Sequence, residues 1–234
     1  MLSIPLKGCR PDSVVTDTMC TKKGRNLIAV RDTLIYSLNE CANGRHLFGG
    51  EPIHRGVVPS GSSVAVHRLL TIDLTDDAIP FDSKTLVQLP LYYPLKYGHG
   101  GPSMQYAVES NEEIRILHMS DPEPDPPDEA YVKVDAFPEI RYAAQPPISD
   151  GDAIDWFTLT LGGTETLDHK PDQCKNVDCK NFNAEPDVSL IASVPPKPIP
   201  THPEIWWEFE GAYMLFYFWL CRGCNTIIAS NRST

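Results

Sequence analysis

The chain has 234 residues, 41% of them hydrophobic, which is enough apolar material for a substantial core and excludes a wholly disordered chain. Asp and Glu outnumber Lys and Arg by 31 to 20, and the resulting net charge of −11 repels a phosphate backbone, which disfavours nucleic acid as a partner. The most apolar run, Tyr213 to Leu220, is far shorter than the ~20 residues of a membrane-spanning helix and reads as a buried strand, so no membrane association is expected.

The N-terminal stretch MLSIPLKGCR lacks a basic start followed by an apolar run and a small-residue cleavage site, so no signal peptide is expected. A cytoplasmic setting with reduced thiols follows for the seven cysteines. A helix is expected over Asn26 to Leu38, where apolar residues fall at 27, 28, 30, 34 and 35, with two strands around Arg31-Asp32 as the alternative. Beyond it, 22 prolines cut the chain into short apolar runs, which argues for sheet. β-Branched and aromatic residues mark strands at Val64 to Leu74, Leu86 to Leu91, Met104 to Val108 and Ile114 to Met119. Further strands are expected at Tyr131 to Phe137, Trp156 to Leu161, Val188 to Ser193, Tyr213 to Leu220 and Thr226 to Ala229. Asp121 to Glu129 and Pro195 to Pro203 read as stiff, extended loops, because proline fixes φ and like charges in the first repel. The prolines in the first also leave no glycine-permitted turn of the kind a calcium loop uses. The fold expected is mostly β, a two-sheet β-sandwich-like domain over residues 1–234 with little helix and a C-terminal zinc-knuckle hairpin. Residues 168–234 would form its zinc-stapled subregion.

That hairpin follows from the cysteines. Cys174 and Cys179 form a C-x4-C pair, and Cys221 and Cys224 a C-x2-C pair. Short spacing lets one turn present two sulfurs to one ion, and four thiolates satisfy the tetrahedral preference of zinc. Arg222-Gly223 supplies a turn between an apolar strand and Thr226-Ile-Ile-Ala229. A structural zinc on Cys174, Cys179, Cys221 and Cys224 is therefore expected, tying the C-terminal segment to the body. A thioredoxin-like use of Cys221-Arg-Gly-Cys224 would need a following helix to depress a thiol pKa, and the ten residues that follow are mostly β-branched or polar. Cys9, Cys20 and Cys41 have no short-spaced partner and read as free or buried thiols.

No other pattern carries comparable chemistry. The seven histidines form no catalytic zinc spacing, although His169 lies close enough to Cys174 to be considered as a substitute ligand. Tyr97 to Pro102 is a glycine-rich turn around His99 without the Lys-Ser or Lys-Thr of a phosphate loop. Asp73, Asp76 and Asp77 stand where turns use carboxylates for local hydrogen bonds.

Three segments taken together, Leu47-Phe-Gly-Gly-Glu-Pro52, His67-Arg-Leu-Leu-Thr-Ile-Asp-Leu74 and Leu215-Phe-Tyr-Phe-Trp-Leu-Cys-Arg-Gly-Cys224, resemble the YwqG-like bacterial proteins of unknown function. The resemblance implies a two-sheet β architecture and no catalytic residues to carry over. It also implies, by analogy with relatives that look like components of toxin and immunity systems, an acidic binder.

Three functions are weighed. The first is a non-enzymatic protein-binding module with a structural zinc, whose acidic surface and proline-rich loops hold a protein partner, a basic toxin in the immunity version. The second is a hydrolase-like enzyme with a loop-built pocket from His99 and Asp73. The third is a nucleic-acid-binding zinc ribbon using Lys170, Lys175, Lys180, Arg222 and Arg232, a set that Asp168, Asp172 and Asp178 largely offset.

Overall fold

A computed structural model describes residues 28–57, 65–95, 103–120, 136–148, 158–163, 171–195 and 214–233. Its strands are β1 (Ile28–Val30), β2 (Ile35–Glu40), β3 (His46–Phe48), β4 (His67–Asp73), β5 (Phe81–Ser83), β6 (Gln88–Tyr93) and β7 (Met104–Ser110). They continue with β8 (Glu113–Met119), β9 (Ile140–Pro147), β10 (Thr160–Gly162), β11 (Val188–Val194), β12 (Met214–Cys221) and β13 (Ile227–Ser233). The protein is mostly β, with no helix among the described residues.

Where a helix was expected over Asn26 to Leu38, the two-strand alternative holds for the described part, β1 and β2 flanking residues 31–34. Asp32 breaks the helical option, because its carboxylate accepts hydrogen bonds from the Leu34 backbone N–H at 3.0 Å and the Tyr36 hydroxyl at 3.1 Å. Of the strand expected over Tyr131 to Phe137, residues 131–135 lie outside the described residues, and Ala136 and Phe137 are not in a strand. Residues 121–129 and 196–203, the histidines at 99 and 169, and Cys9 and Cys20 also lie outside them.

The strands form two sheets of very unequal size. β1 and β5 pair alone, while eleven strands run in the order β6-β4-β3-β9-β2-β10-β11-β12-β13-β7-β8. The large sheet curls until β6, at one edge, lies against β7 and β13 near the other. Tyr106 pins that closure: its hydroxyl donates to the Pro90 carbonyl at 2.9 Å and accepts from the Tyr92 backbone N–H at 2.9 Å. Both polar roles of a fully buried tyrosine are thereby satisfied, as burial requires.

Inside the curl lies the main core, which includes Phe48, Leu69, Leu70, Leu91, Phe216 and Phe218. A second, smaller cluster occupies the opposite face near the C-terminal hairpin. β12 divides its side chains between them with the period of two that a pleated strand imposes. Phe216, Phe218 and Leu220 enter the main core, and Leu215, Tyr217, Trp219 and Cys221 enter the second. Both faces are buried, which is why Tyr213 to Leu220 reads as one unbroken apolar run. β13 follows the same rule, with Ile227 and Ala229 on one side and Ile228 on the other. In β11 a register shift between Leu190 and Ala192 resets the phase. Val188 and Leu190 therefore serve the second cluster, whereas Ile191, Ala192 and Val194 serve the main core.

Candidate metal centre

The alternation along β12 delivers Cys221 to the second cluster, at the strand's last position. The chain then reverses through Arg222-Gly223-Cys224, and Cys221 closes the turn. Its carbonyl accepts from the Cys224 and Asn225 backbone N–H groups at 3.3 and 2.8 Å, and its own N–H donates to the Thr226 carbonyl at 2.9 Å. Asn225 takes φ of 59°, a left-handed conformation that asparagine tolerates better than most residues. Gly223 is needed for a different reason. A Cβ there would come within 2.8 Å of both the Cys179 sulfur and the Asn181 side-chain nitrogen.

The other two cysteines come from the loop before β11. Cys179 donates its N–H to the Asn176 carbonyl at 2.9 Å, and Asn183, at φ of 52°, donates its own to the Cys174 carbonyl at 2.9 Å. These turns bend residues 174–183 into a compact loop over the hairpin. The ligand-type atoms of Cys174, Cys179, Cys221 and Cys224 all lie within 4.8 Å of one another. Cys174, Cys179 and Cys221 are buried and Cys224 is half-buried.

Two sulfur–sulfur separations, Cys174 to Cys224 and Cys179 to Cys221, are each 3.7 Å. A disulfide requires about 2.05 Å. A tetrahedron with metal–sulfur bonds of about 2.3 Å has edges of about 3.8 Å, so these two separations match edges of a thiolate tetrahedron around one small cation. Ionisation behaviour points the same way. Thiol hydrogen bonds, led by that of Cys221, draw the Cys224 thiol well below its ordinary value, and the Thr226 hydroxyl, 3.0 Å from the sulfur, adds to the effect. Burial pushes Cys174 up, while the hydrogen bond to Cys224 and then burial push Cys221 up. A divalent cation bound among these sulfurs would supply the charge that lets buried thiols ionise.

Three residues that the cysteine spacing could not reveal hold the loop and hairpin together. Gln105 on β7 is fully buried; its amide nitrogen donates to the Gln173 carbonyl and its oxygen accepts from the Lys175 N–H, both at 2.8 Å. It therefore grips the backbone on either side of Cys174. Asn176 donates to the Thr226 hydroxyl at 3.3 Å and accepts from the Asp178 N–H at 3.1 Å, linking the C-x4-C loop to the C-x2-C turn. Asn176 and Thr226 stand within or just after the cysteine motifs, so their polarity was a visible signal; Gln105, remote in sequence, carried none.

The other candidates fall elsewhere. Asp73 accepts from Arg45 Nε at 2.9 Å and from the Thr75 N–H and hydroxyl at 2.8 and 2.7 Å. Burial works to raise its pKa, but these bonds outweigh it and hold the carboxyl below its usual range. Asp76 accepts from the Ala78 N–H at 3.0 Å, a turn role of the expected kind. Of the basic residues, Arg222 donates to Ser189 and pairs with Asp187, and Lys175 donates to the Asn183 side chain at 2.7 Å. Cys41 is exposed, away from the cluster.

Comparison with protein-family models, with curated proteins and with solved structures returns no match. The chemistry of the site therefore rests on the chain's own geometry.

Proposed function

We propose that Cys174, Cys179, Cys221 and Cys224 hold one structural zinc ion and that the protein is a non-enzymatic protein-binding module built on that staple. The observation carrying the metal assignment is the convergence of four sulfurs within 4.8 Å, with two separations of 3.7 Å. Zinc is favoured because thiolates are soft ligands and four of them suit its tetrahedral, redox-inert chemistry. With four protein ligands no coordination position is left for a substrate, which assigns the ion a structural and not a catalytic role. A reducing compartment, the cytoplasm, suits four closely spaced thiols.

The binding reading draws on the surface around the staple. Val177 is 75% exposed and Phe182 41% exposed, both on the cysteine loop, whose backbone hydrogen bonds leave these apolar side chains in water. Together with a net charge of −11 they suit a basic protein partner, as in a toxin–immunity pair.

The test has two parts. Elemental analysis of protein purified without added metal is expected to give one zinc per chain, lost in the Cys221→Ala/Cys224→Ala double variant; metal-free, fully folded wild type would overturn the assignment. Tagged protein captured from native lysate at moderate salt is expected to bring down a stoichiometric basic protein that high salt releases. A monomer without a partner would overturn the binding reading and leave the zinc reading standing.

A further inference from the structure

Away from the cysteines, the described residues line an open cavity of about 780 Å³. Its inner wall includes Gly50, Phe137 and Arg68, all buried; its mouth includes Glu51, Ile53 and Glu139, all exposed. Arg68 is 4% exposed, and an arginine so buried must have its donors engaged. Nε donates to the Gly49 carbonyl at 2.7 Å and Nη2 to Glu139 Oε1 at 2.6 Å. Nη1 donates to no described residue. Glu51, at the mouth, pairs with no described cation. The pocket therefore offers, beside the Arg68–Glu139 pair, a guanidinium donor open to solvent, a carboxylate without a described partner at the mouth and hydrocarbon between them.

Gly49 and Gly50 make this arrangement possible. Both take positive φ, 74° and 84°, and a Cβ on Gly50 would sit 1.8 Å from Arg68 Nη2. The double glycine thus lets backbone approach the guanidinium closely enough to hold it against the cavity.

We propose that this cavity binds a small amino carboxylic acid with an apolar body. Its carboxylate meets Arg68 Nη1, its ammonium lies toward Glu51, and its hydrocarbon packs on Phe137 and Ile53. The polarity selects this class. A bare amine, such as a lysine side chain, would carry its charge toward a guanidinium, and a bare fatty acid would pass the Glu51 carboxylate with nothing to offset it. A zwitterion matches both ends, and a volume of this size lies in the range of small-molecule sites. The proposal does not rest on the zinc or on a protein partner.

Isothermal titration of the full-length, metal-loaded protein tests it. The probes are L-leucine and ε-aminocaproate, which set the two charges close together and far apart, and for each the analogue lacking the amine and the analogue lacking the carboxylate. At least one zwitterion is expected to bind, with both of its singly charged analogues weaker by roughly 10-fold or more, the value of one charge-assisted hydrogen bond. Glu51→Gln, an exposed change that leaves the fold alone, is expected to weaken that zwitterion by up to about 5-fold. Ile53→Ser is expected to weaken it as well. No binding of either zwitterion at millimolar concentration, equal binding of a singly charged analogue, or an affinity unchanged in Glu51→Gln would each overturn the proposal.

Discussion

Cys179 and Cys221 are 42 residues apart in sequence, yet their sulfurs lie 3.7 Å from each other. The contact joins the loop before β11 to the end of β12, and the second hydrophobic cluster is built directly beneath it from Val188, Leu190, Leu215, Tyr217, Trp219 and Ile228. The main core shares none of these side chains. A metal at the cysteines therefore acts on one face of the hairpin, and its loss should be felt there first.

Chelation should make this division visible. With zinc removed, amide hydrogen exchange is expected to accelerate strongly over residues 171–187 and 221–226, while β4, β6 and β7, whose side chains lie in the main core, keep most of their protection. Structural zinc contributes on the order of 10 kcal/mol in small peptides, so a fall of several kcal/mol in the unfolding free energy is expected to accompany the local opening. Uniform acceleration across every strand would show instead that the two clusters unfold as one unit.

Gly223→Ala offers a milder perturbation of the same site. The new methyl would meet the Cys179 sulfur at 2.8 Å, displacing a ligand without removing one. Zinc affinity, measured by competition with a chromophoric chelator, is expected to drop by roughly 10–100-fold, as for other changes just outside a coordination shell. An affinity equal to wild type would mean that the loop yields freely, contrary to the grip of Gln105 on its backbone.

Two buried histidines should make stability depend on pH. His46 is fully buried; its Nδ1 accepts from the Asp73 N–H at 3.2 Å, and its Nε2 lies 3.2 Å from the Asp76 carboxylate. Burial lowers its pKa and outweighs the pull of the Asp76 and Asp73 charges. His54, whose Nδ1 is 2.8 Å from the Tyr92 hydroxyl, is lowered by burial and then by the charge of Arg68. Both have folded-state values below the ordinary 6.5, so once pH falls below that point the unfolded chain binds more protons than the native one. Stability is then lost on acidification, by up to about 1.4 kcal/mol per pH unit for each histidine. Urea midpoints between pH 7 and pH 5 are expected to fall, and His46→Gln, which keeps an acceptor for the Asp73 N–H, is expected to flatten the slope.

Gly50→Ala tests the backbone behind the cavity. At φ of 84°, with Arg68 Nη2 and Glu139 Oε1 at 1.8 and 2.6 Å from the added Cβ, alanine has neither the conformation nor the room. A loss of about 2–3 kcal/mol is expected in urea denaturation, combining left-handed strain with displacement of the Arg68–Glu139 ion pair. A neutral effect would indicate that Arg68 and Glu139 move apart at little cost.

Several strands were legible in the sequence because their signal is local. β4, β6, β7, β8, β11, β12 and β13 all carry enough β-branched, leucine or aromatic residues to be found by composition and run length alone. β3 and β5 are three residues each, too short to show a period, and β9 ends in Pro146-Pro147, which reads as a break. Each is held by its neighbours. β9 is flanked by β2 and β3, and a register shift in its pairing with β2 accommodates the proline end. At Asn26 to Leu38 the apolar spacing suited a helix and the residue types suited strands, and the side-chain bonds of Asp32 decided between them.

What the sequence determined by itself was the mostly β class, the two short-spaced cysteine pairs and the alternation that sends Cys221 to one face of β12, since each depends on residues within a few positions of one another. Only the tertiary structure decided that the two pairs meet, that Gln105 reaches the backbone 68 and 70 residues away, and that Arg68 finds Glu139 at a separation of 71. Those contacts follow from the curl and strand order of an eleven-stranded sheet, in which neighbours are chosen by long-range burial and pairing and not by any local pattern of residues.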